Sequence, residues 1–362
     1  MNYIGSKKTL IPFLKETILK IISPDSHVFC DLFAGTGTVG SCFKREGFKV
    51  ISNDLQYYSF VLNRNYVGNH KALEFNGLTA EIEQAAKNVS NDQMRLFGDK
   101  SKKEYVIEYL NNLKGEEGFV YSNYTLSGTR GQQFERNYYS EDNAKKCDAV
   151  RMKIEEWKEE KRITEDEYFF LLTSLLEAID SVANTASVYG AFLKKLKNSA
   201  ARPMKIVPAD FSITDEEHCV YNKDANELIR EISCDILYLD PPYNERQYSA
   251  NYHILETIAK YDDPVIKGKT GLRDYKDQKS KYCSKADVKR AFEELIQNAK
   301  AKYIFLSYNN EGLLSIDNVK EIFSRKGTYG TATQAYNRFK ADSTRKYSAD
   351  KTVEYLHYCI CK

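Results

Sequence analysis

No sign of charge predominates in this chain. Its 53 Lys and Arg stand against 51 Asp and Glu, a net charge of +2 over 362 residues. Any attraction to a polyanion must therefore come from local clusters, because phosphate binding depends on charge at the interface and not on the sum. The eight cysteines, at 30, 42, 147, 219, 234, 283, 359 and 361, include no C-x-x-C pair, which leaves a zinc ribbon without ligands and makes free thiols in a cytoplasmic protein the expectation. Long apolar runs are missing too. Lys15, Glu16 and Lys20 interrupt the apolar positions of residues 1–22, which argues against a signal peptide or a membrane span there. Repeats and low-complexity tracts are absent. His253 and His357 have no partner at metal spacing, and the pairs Glu116–Glu117 and Glu155–Glu156 lie in hydrophilic context, so none of them is assigned a catalytic role.

What is present is ordinary globular composition, 42% hydrophobic and 29% charged, at a length that suits two domains or one with a large insertion. Leu10, Leu14, Ile18, Leu19 and Ile22 follow helical spacing and predict a helix ending near Ser23-Pro24. The apolar run His27 to Phe33 enters the stretch Ala34-Gly35-Thr36-Gly37-Thr38-Val39-Gly40, and a second run, Phe48 to Asn53, ends at Asp54. Strand, glycine turn, helix, strand and terminal acid make a βαβ unit. From about 66 to 205 the chain turns polar and mostly helical. Cys147, Val150, Ile154 and Trp157 mark one helix face. Thr164 and Glu167 make a capping box before the face Tyr168, Leu171, Leu172, Leu175, Ile179 and Val182. Residues 119–140 suggest a loop or hairpin. Strands return at Cys219-Val220-Tyr221, Ile236 to Leu239, Tyr303 to Tyr308 and Thr352 to Ile360, with a helix expected from Leu313 to Phe323.

Two motifs carry chemistry. Glycines in a strand-to-helix turn let the backbone approach a ligand, and an acid ending the next strand can grip both hydroxyls of a ribose. Asp54 follows Gly35 by 19 positions, which suits an adenosine. Asp240-Pro241-Pro242-Tyr243 follows an apolar strand, and its two prolines each fix φ near about −65° and remove a donor. The result is a rigid loop offering a carboxylate, bare carbonyls and an aromatic face. If an exocyclic amine donates its hydrogens to Asp240 and the Pro241 carbonyl, its lone pair is directed at an electrophile while Tyr243 stacks on a base outside the duplex.

Phe33-Ala34-Gly35-Thr36-Gly37 and Asp240 to Tyr243 resemble the S-adenosylmethionine and D-P-P-Y motifs of amino-methyltransferases. Tyr3-Ile4-Gly5-Ser6-Lys7 resembles the additional cofactor motif of Dam-like DNA adenine-N6 methyltransferases, and the order of the motifs is that family's alpha arrangement. The resemblance implies an α/β fold: a Rossmann-like, doubly wound mixed sheet of the class I methyltransferase type with an antiparallel C-terminal strand. The catalytic domain would comprise 1–65, bearing the cofactor motifs, and 206–362, bearing the catalytic loop, with 66–205 a mostly helical target-recognition insertion. It implies S-adenosyl-L-methionine as cofactor and no metal. Tyr3, Gly5, Lys7, Phe33, Gly35, Gly37, Thr38 and Asp54 would hold the cofactor, and Asp224 would lie near its adenine. Asp224 is also suited to be a helix N-cap, and the aromatic neighbour that relatives often have there is Ala225 here. Asp240, Pro241, Pro242 and Tyr243 would be catalytic, with methyl transfer direct to the amine of a flipped-out adenine. The absence of a Pro-Cys pair suits this, since no covalent intermediate is required.

Double-stranded DNA is the expected partner, with a companion restriction endonuclease and no membrane. Residues 262–290 hold nine basic side chains against five acidic, and 325–346 hold six against one, interleaved with Tyr329, Tyr336 and Phe339. Lys269, Arg273, Arg338 and Arg345 from these stretches, with Arg130 and Arg136 from the insertion, are candidate DNA contacts, Arg being able to grip guanine bidentately. The rival readings are cytosine N4 or an RNA base as acceptor, and a catalytically silent nucleic-acid-binding relative. A dinucleotide oxidoreductase is poorer, because Asp-Pro-Pro-Tyr offers no hydride-transfer logic.

Overall fold

The runs 28–31, 49–53 and 236–239 are largely buried on both faces, as parallel strands covered by helices on each side must be. The computed structural model describes residues 6–87, 101–309, 312–337 and 351–362. Among these, β1 (Val28–Asp31), β2 (Lys49–Asn53), β3 (Cys219–Tyr221), β4 (Cys234–Leu239), β5 (Ala301–Asn309), β6 (Gly327–Asn337) and β7 (Lys351–Cys361) form one sheet in the order β3-β2-β1-β4-β5-β7-β6. The first five are parallel, and β7 runs antiparallel to both β5 and β6. This is the expected doubly wound mixed sheet with its antiparallel C-terminal strand. The strand order reverses between β1 and β4, and in open α/β sheets the crevice beyond such a point is where ligands bind.

Alternate residues of each strand feed alternate faces. Phe29, Ile236, Tyr238 and Phe305 pack with Leu14, Ile18 and Phe43 on one side. Cys30, Leu237, Leu239, Ile304 and Leu306 pack on the other with Phe292, Leu295, Ile322 and Phe323. The helix Ile11–Ile21 buries Leu14 and Ile18 and stops ahead of Pro24, which cannot continue a helix. The helix anticipated from Leu313 is Ile316–Lys326, set by Ser315, whose side chain accepts the Asn318 amide. The strand β6 went unanticipated: its residues were counted only as part of a basic stretch.

The described residues divide into two compact units. The sheet unit draws on the segments up to His70, Thr214–Asn251 and the chain from Tyr275 onward, and the second unit comprises Lys71–Ile213 with Tyr252–Asp274. In that second unit the helices Glu141–Glu159 and Glu165–Ser181 bury the anticipated faces, and the capping box of Thr164 and Glu167 is formed in both directions, at 3.2 and 2.8 Å. Residues 119–140 are not a hairpin. They begin with a helix, Phe119–Tyr124, whose cap comes from elsewhere in the sequence: Asp148 accepts the amides of Gly118, Val120 and Tyr121 at 3.1, 2.9 and 2.8 Å. From 182 to 218 no helix or strand forms. Buried asparagines organise that stretch instead, Asn184 donating to the carbonyls of Asn137 and Leu193 at 2.8 and 2.9 Å.

Candidate active site

The cleft at the carboxyl ends of β1 and β4 takes in about 1030 Å³ of space, part of it open solvent, and every residue lining it belongs to the sheet unit. The turn after β1 forms its wall. Gly35 and Gly37 have φ of +51° and +75°, left-handed values that glycine adopts without strain. A Cβ on Gly37 would meet the Asn63 Oδ1 at 2.9 Å. Asn63 braces the turn from behind by donating to the Gly35 carbonyl at 3.0 Å. From β2's end, Asp54 accepts the Gly35 amide on Oδ2 at 2.8 Å and the Gln56 amide on Oδ1 at 2.9 Å. The turn and the acid are thus one hydrogen-bonded piece, which explains why their spacing is recognisable.

Asp240 sits directly after β4, with Pro241 and Pro242 beside it on the cleft lining. Its carboxylate is 3.2 Å from the Lys7 ammonium, which is 2.7 Å from Glu354 of β7. Burial pushes Asp240 up to about 6, Lys7 pulls it down and Glu354 raises it. Burial works against the charge on Lys7, but Asp240 and Glu354 hold its pKa well above the ordinary lysine range. Tyr243 lies edge-on to Tyr308, with centroids 6.4 Å apart, and its carbonyl accepts the Leu313 amide at 3.1 Å. These contacts hold the aromatic end of the loop against β5 and the segment that follows it.

Several lining residues were not anticipated. Asp31, the last residue of β1, is buried; its Oδ2 accepts the Gly40 amide at 3.1 Å and its Oδ1 has no partner. Burial, then Asp240, push its carboxyl up to about 8. Its signal was visible, as an acid closing an apolar strand just before the glycines. Tyr282 gave none. It arrives from the basic stretch 262–290, sits 5.0 Å edge-on from Phe33 and donates its hydroxyl to Asn226 at 2.8 Å. Gln278, Ser280 and Lys281 line the cleft with it, and Gln247 holds that stretch by accepting the Ser280 amide at 2.8 Å.

Of the anticipated cofactor residues, Lys7, Phe33, Gly35, Thr38, Asp54 and Asp224 line this cleft, and Gly37 shapes the turn. Asp224 is also an N-cap, accepting the amides of Asn226 and Glu227 on one oxygen at 2.8 and 3.3 Å. Tyr3, Gly5, Arg338 and Arg345 lie outside the described residues. Two anticipated DNA contacts are occupied elsewhere. Arg136 is buried, its guanidinium donating to the carbonyls of Asn123 and Gly268 at 3.3 and 2.9 Å. Arg273 is buried in a two-pronged pair with Asp262 at 2.9 and 2.7 Å. Both hold loops of the second unit from buried positions. Arg130 and Lys269 are exposed.

Residues 3–322 match the family model of the D12 class N6 adenine-specific DNA methyltransferases. The chain belongs to this family. The enzyme is 51% identical to the type II methyltransferase M.NlaIII of Neisseria lactamica over 99% of its own length and 98% of the relative's. It is 36% identical to the type II methyltransferase M.CviAII of Paramecium bursaria Chlorella virus 1, over 94% and 93%. Against the type II methyltransferase M.FokI of Planomicrobium okeanokoites the identity is 37%, over 99% of this chain but 52% of the relative, so the enzyme spans about half of that protein. The family decides between the rival bases: the reaction of this methyltransferase is at adenine N6, not cytosine N4. No helix among the described residues is long and apolar enough to cross a membrane.

Proposed function

We propose that the enzyme transfers a methyl group from S-adenosylmethionine directly to the N6 amine of an adenine flipped out of duplex DNA, as the modification partner of a restriction endonuclease in the cytoplasm. The observation that carries this reading is that the glycine turn with Asp54 and the Asp240 loop line one cleft. The lining suits the cofactor's chemistry. Asp54, oriented by two backbone amides, would accept the ribose hydroxyls, and Phe33 with Tyr282 supply aromatic surface beside Asp224 for an adenine. The orphaned Oδ1 of buried Asp31 is an acceptor in want of a donor, which an ammonium group supplies. When bound, the cofactor supplies an electrophilic methyl on a sulfonium.

The chain's own residues then do the rest. Asp240 and the Pro241 carbonyl accept the two amine hydrogens, so the nitrogen lone pair points away from the ring and at the methyl. As an N–C bond formed and the methyl–sulfur bond broke, the electron pair returning to sulfur to leave a neutral thioether, the nitrogen would carry one proton too many, and Asp240 is placed to take it before it passes to water. Tyr243 stacks on the extruded base, a contact worth about 1–3 kcal/mol. Much of the catalysis is positioning in a partly dry cleft. The type II names of the relatives support the pairing with an endonuclease. The reading is tested by incubating the protein with a duplex and labelled cofactor and analysing the product base, N6-methyladenine being expected.

Two substitutions probe the binding residues. Asp54→Ala should weaken S-adenosylmethionine binding by roughly ten- to a hundredfold, as the loss of charged hydrogen bonds worth about 1.5–3 kcal/mol implies; equal affinities by calorimetry would remove Asp54 from the site. We take the second unit to be the target-recognition region, with exposed Arg130 and Lys269 facing DNA. Lys269→Glu should then weaken binding to all sequences alike and flatten the log-log salt slope by about 0.9 per lost phosphate contact. A lost sequence preference with an unchanged slope would make Lys269 a base reader instead.

A further inference from the structure

Glu354 is a carboxylate 1% exposed on β7, at the register position facing Asn309 of β5 and Gln334 of β6. A charge placed there persists only if it is paired and hydrogen-bonded. Its Oε1 receives both the Lys7 ammonium at 2.7 Å and the Ser307 hydroxyl at 2.6 Å. Lys7, 6% exposed, reaches Asp240 at the longer distance of 3.2 Å. One buried cation is therefore divided between two carboxylates, and the closer one does not line the cleft. Were Lys7 paired with Asp240 alone, the acid would be more fully neutralised and would be a poorer acceptor for an amine.

We propose that Glu354 is a positioning residue for methyl transfer: by drawing the Lys7 ammonium toward itself it leaves Asp240, which Lys7 holds ionised, incompletely neutralised and so free to accept from the target amine. This rests on the reading of Asp240 given under Proposed function. Among the described residues, the charged and titratable groups that interact with Asp240 are Lys7, Glu354, Asp31, Tyr238 and Tyr243. Burial holds His357 down to about 4 even though Glu354 raises it. At the pH of turnover that imidazole is neutral, so Lys7 is the cation that counts. The C-terminal strand thereby contributes to a site whose recognisable motifs all lie elsewhere in the chain.

The test is single-turnover transfer to an adenine-containing duplex at saturating S-adenosylmethionine, followed from about pH 5 to 9. Wild type should show an acid limb near about 6, where Asp240 takes up a proton. In Glu354→Gln the charge that lifts Asp240 is gone and Lys7 turns to it. The acid limb should then move to lower pH and the plateau rate fall about tenfold, with cofactor affinity kept within about twofold. Lys7→Met should move the limb upward, because two buried carboxylates are left facing each other. Adding Glu354→Gln to Lys7→Met should bring it back down. That pair decides the matter even if Glu354→Gln alone fails to fold: coincident limbs in the Lys7 variant and the double variant would overturn the proposal. Limbs of wild type and folded Glu354→Gln at the same pH would overturn it too, with Asp240 left in its role. Absence of transfer by wild type would sink the reading of Asp240 and this inference with it.

Discussion

Asp240→Ala should abolish methyl transfer in practice, lowering the single-turnover rate by about 100- to 1000-fold, the usual effect of deleting one preorganised polar group at a reacting centre, while S-adenosylmethionine binding changes little. The asymmetry follows from the geometry. The glycine turn, Asp54 and Asn63 hold one another through bonds that do not involve Asp240, so the cofactor wall survives the substitution. Lys7 keeps Glu354 at 2.7 Å, so no buried cation is stranded and the fold should tolerate the change. In the unaltered enzyme the same acid sets the pH dependence. Burial lifts it to about 6, so activity should be full above that pH and fall as pH drops through it, because a protonated carboxyl loses an acceptor. Calorimetry for the cofactor and product analysis for N6-methyladenine check both halves. Near-normal transfer by Asp240→Ala would refute the mechanism.

Phe29→Ala should cost about 3–5 kcal/mol of stability, the range for removing a large buried aromatic. Phe29 is fully buried in β1, stacked on Phe43 at 3.9 Å and 8°, with Phe48 and Tyr238 at 6.4 and 6.2 Å. It joins the helix after the glycine turn to the central strands. Its loss should therefore loosen the glycine turn, which begins at Gly35, four residues beyond Asp31, and weaken cofactor binding as well as lower the urea midpoint, followed by circular dichroism. A loss below about 1 kcal/mol would mean that neighbouring rings collapse into the space.

How much of this was legible in the sequence depended on whether the signal was local. The strand runs at 28–31, 49–53 and 236–239 were readable, because a strand buried on both faces is a short continuous apolar run whatever surrounds it. The capping box of Thr164 and Glu167 was readable because both partners lie within one turn. The helix Phe119–Tyr124 was not, since its cap is Asp148, 28 residues from Val120. Charge counting misled in the same way. Arg273 added to a basic stretch, yet it is buried against Asp262, and a sum over a segment does not say which charges are already paired.

The site divides along the same line. Gly35, Gly37, Asp54 and the Asp240 loop were legible because backbone conformation confines each to a few residue types: glycine where φ is positive, proline where a donor must go, an acid where a turn's amide needs an acceptor. That much, with the family and its reaction, was carried by the order of residues along the chain. Asp31's unpaired oxygen, the arrival of Tyr282 opposite Phe33 and the sharing of Lys7 between Asp240 and Glu354 came only with the fold. Lys7 and Glu354 are 347 residues apart, and neither side chain carries a local pattern that names the other. What joins them is the antiparallel placing of β7 against β5, and a buried charge takes whatever partner the packing brings within reach, because leaving it without one costs more than any local preference supplies.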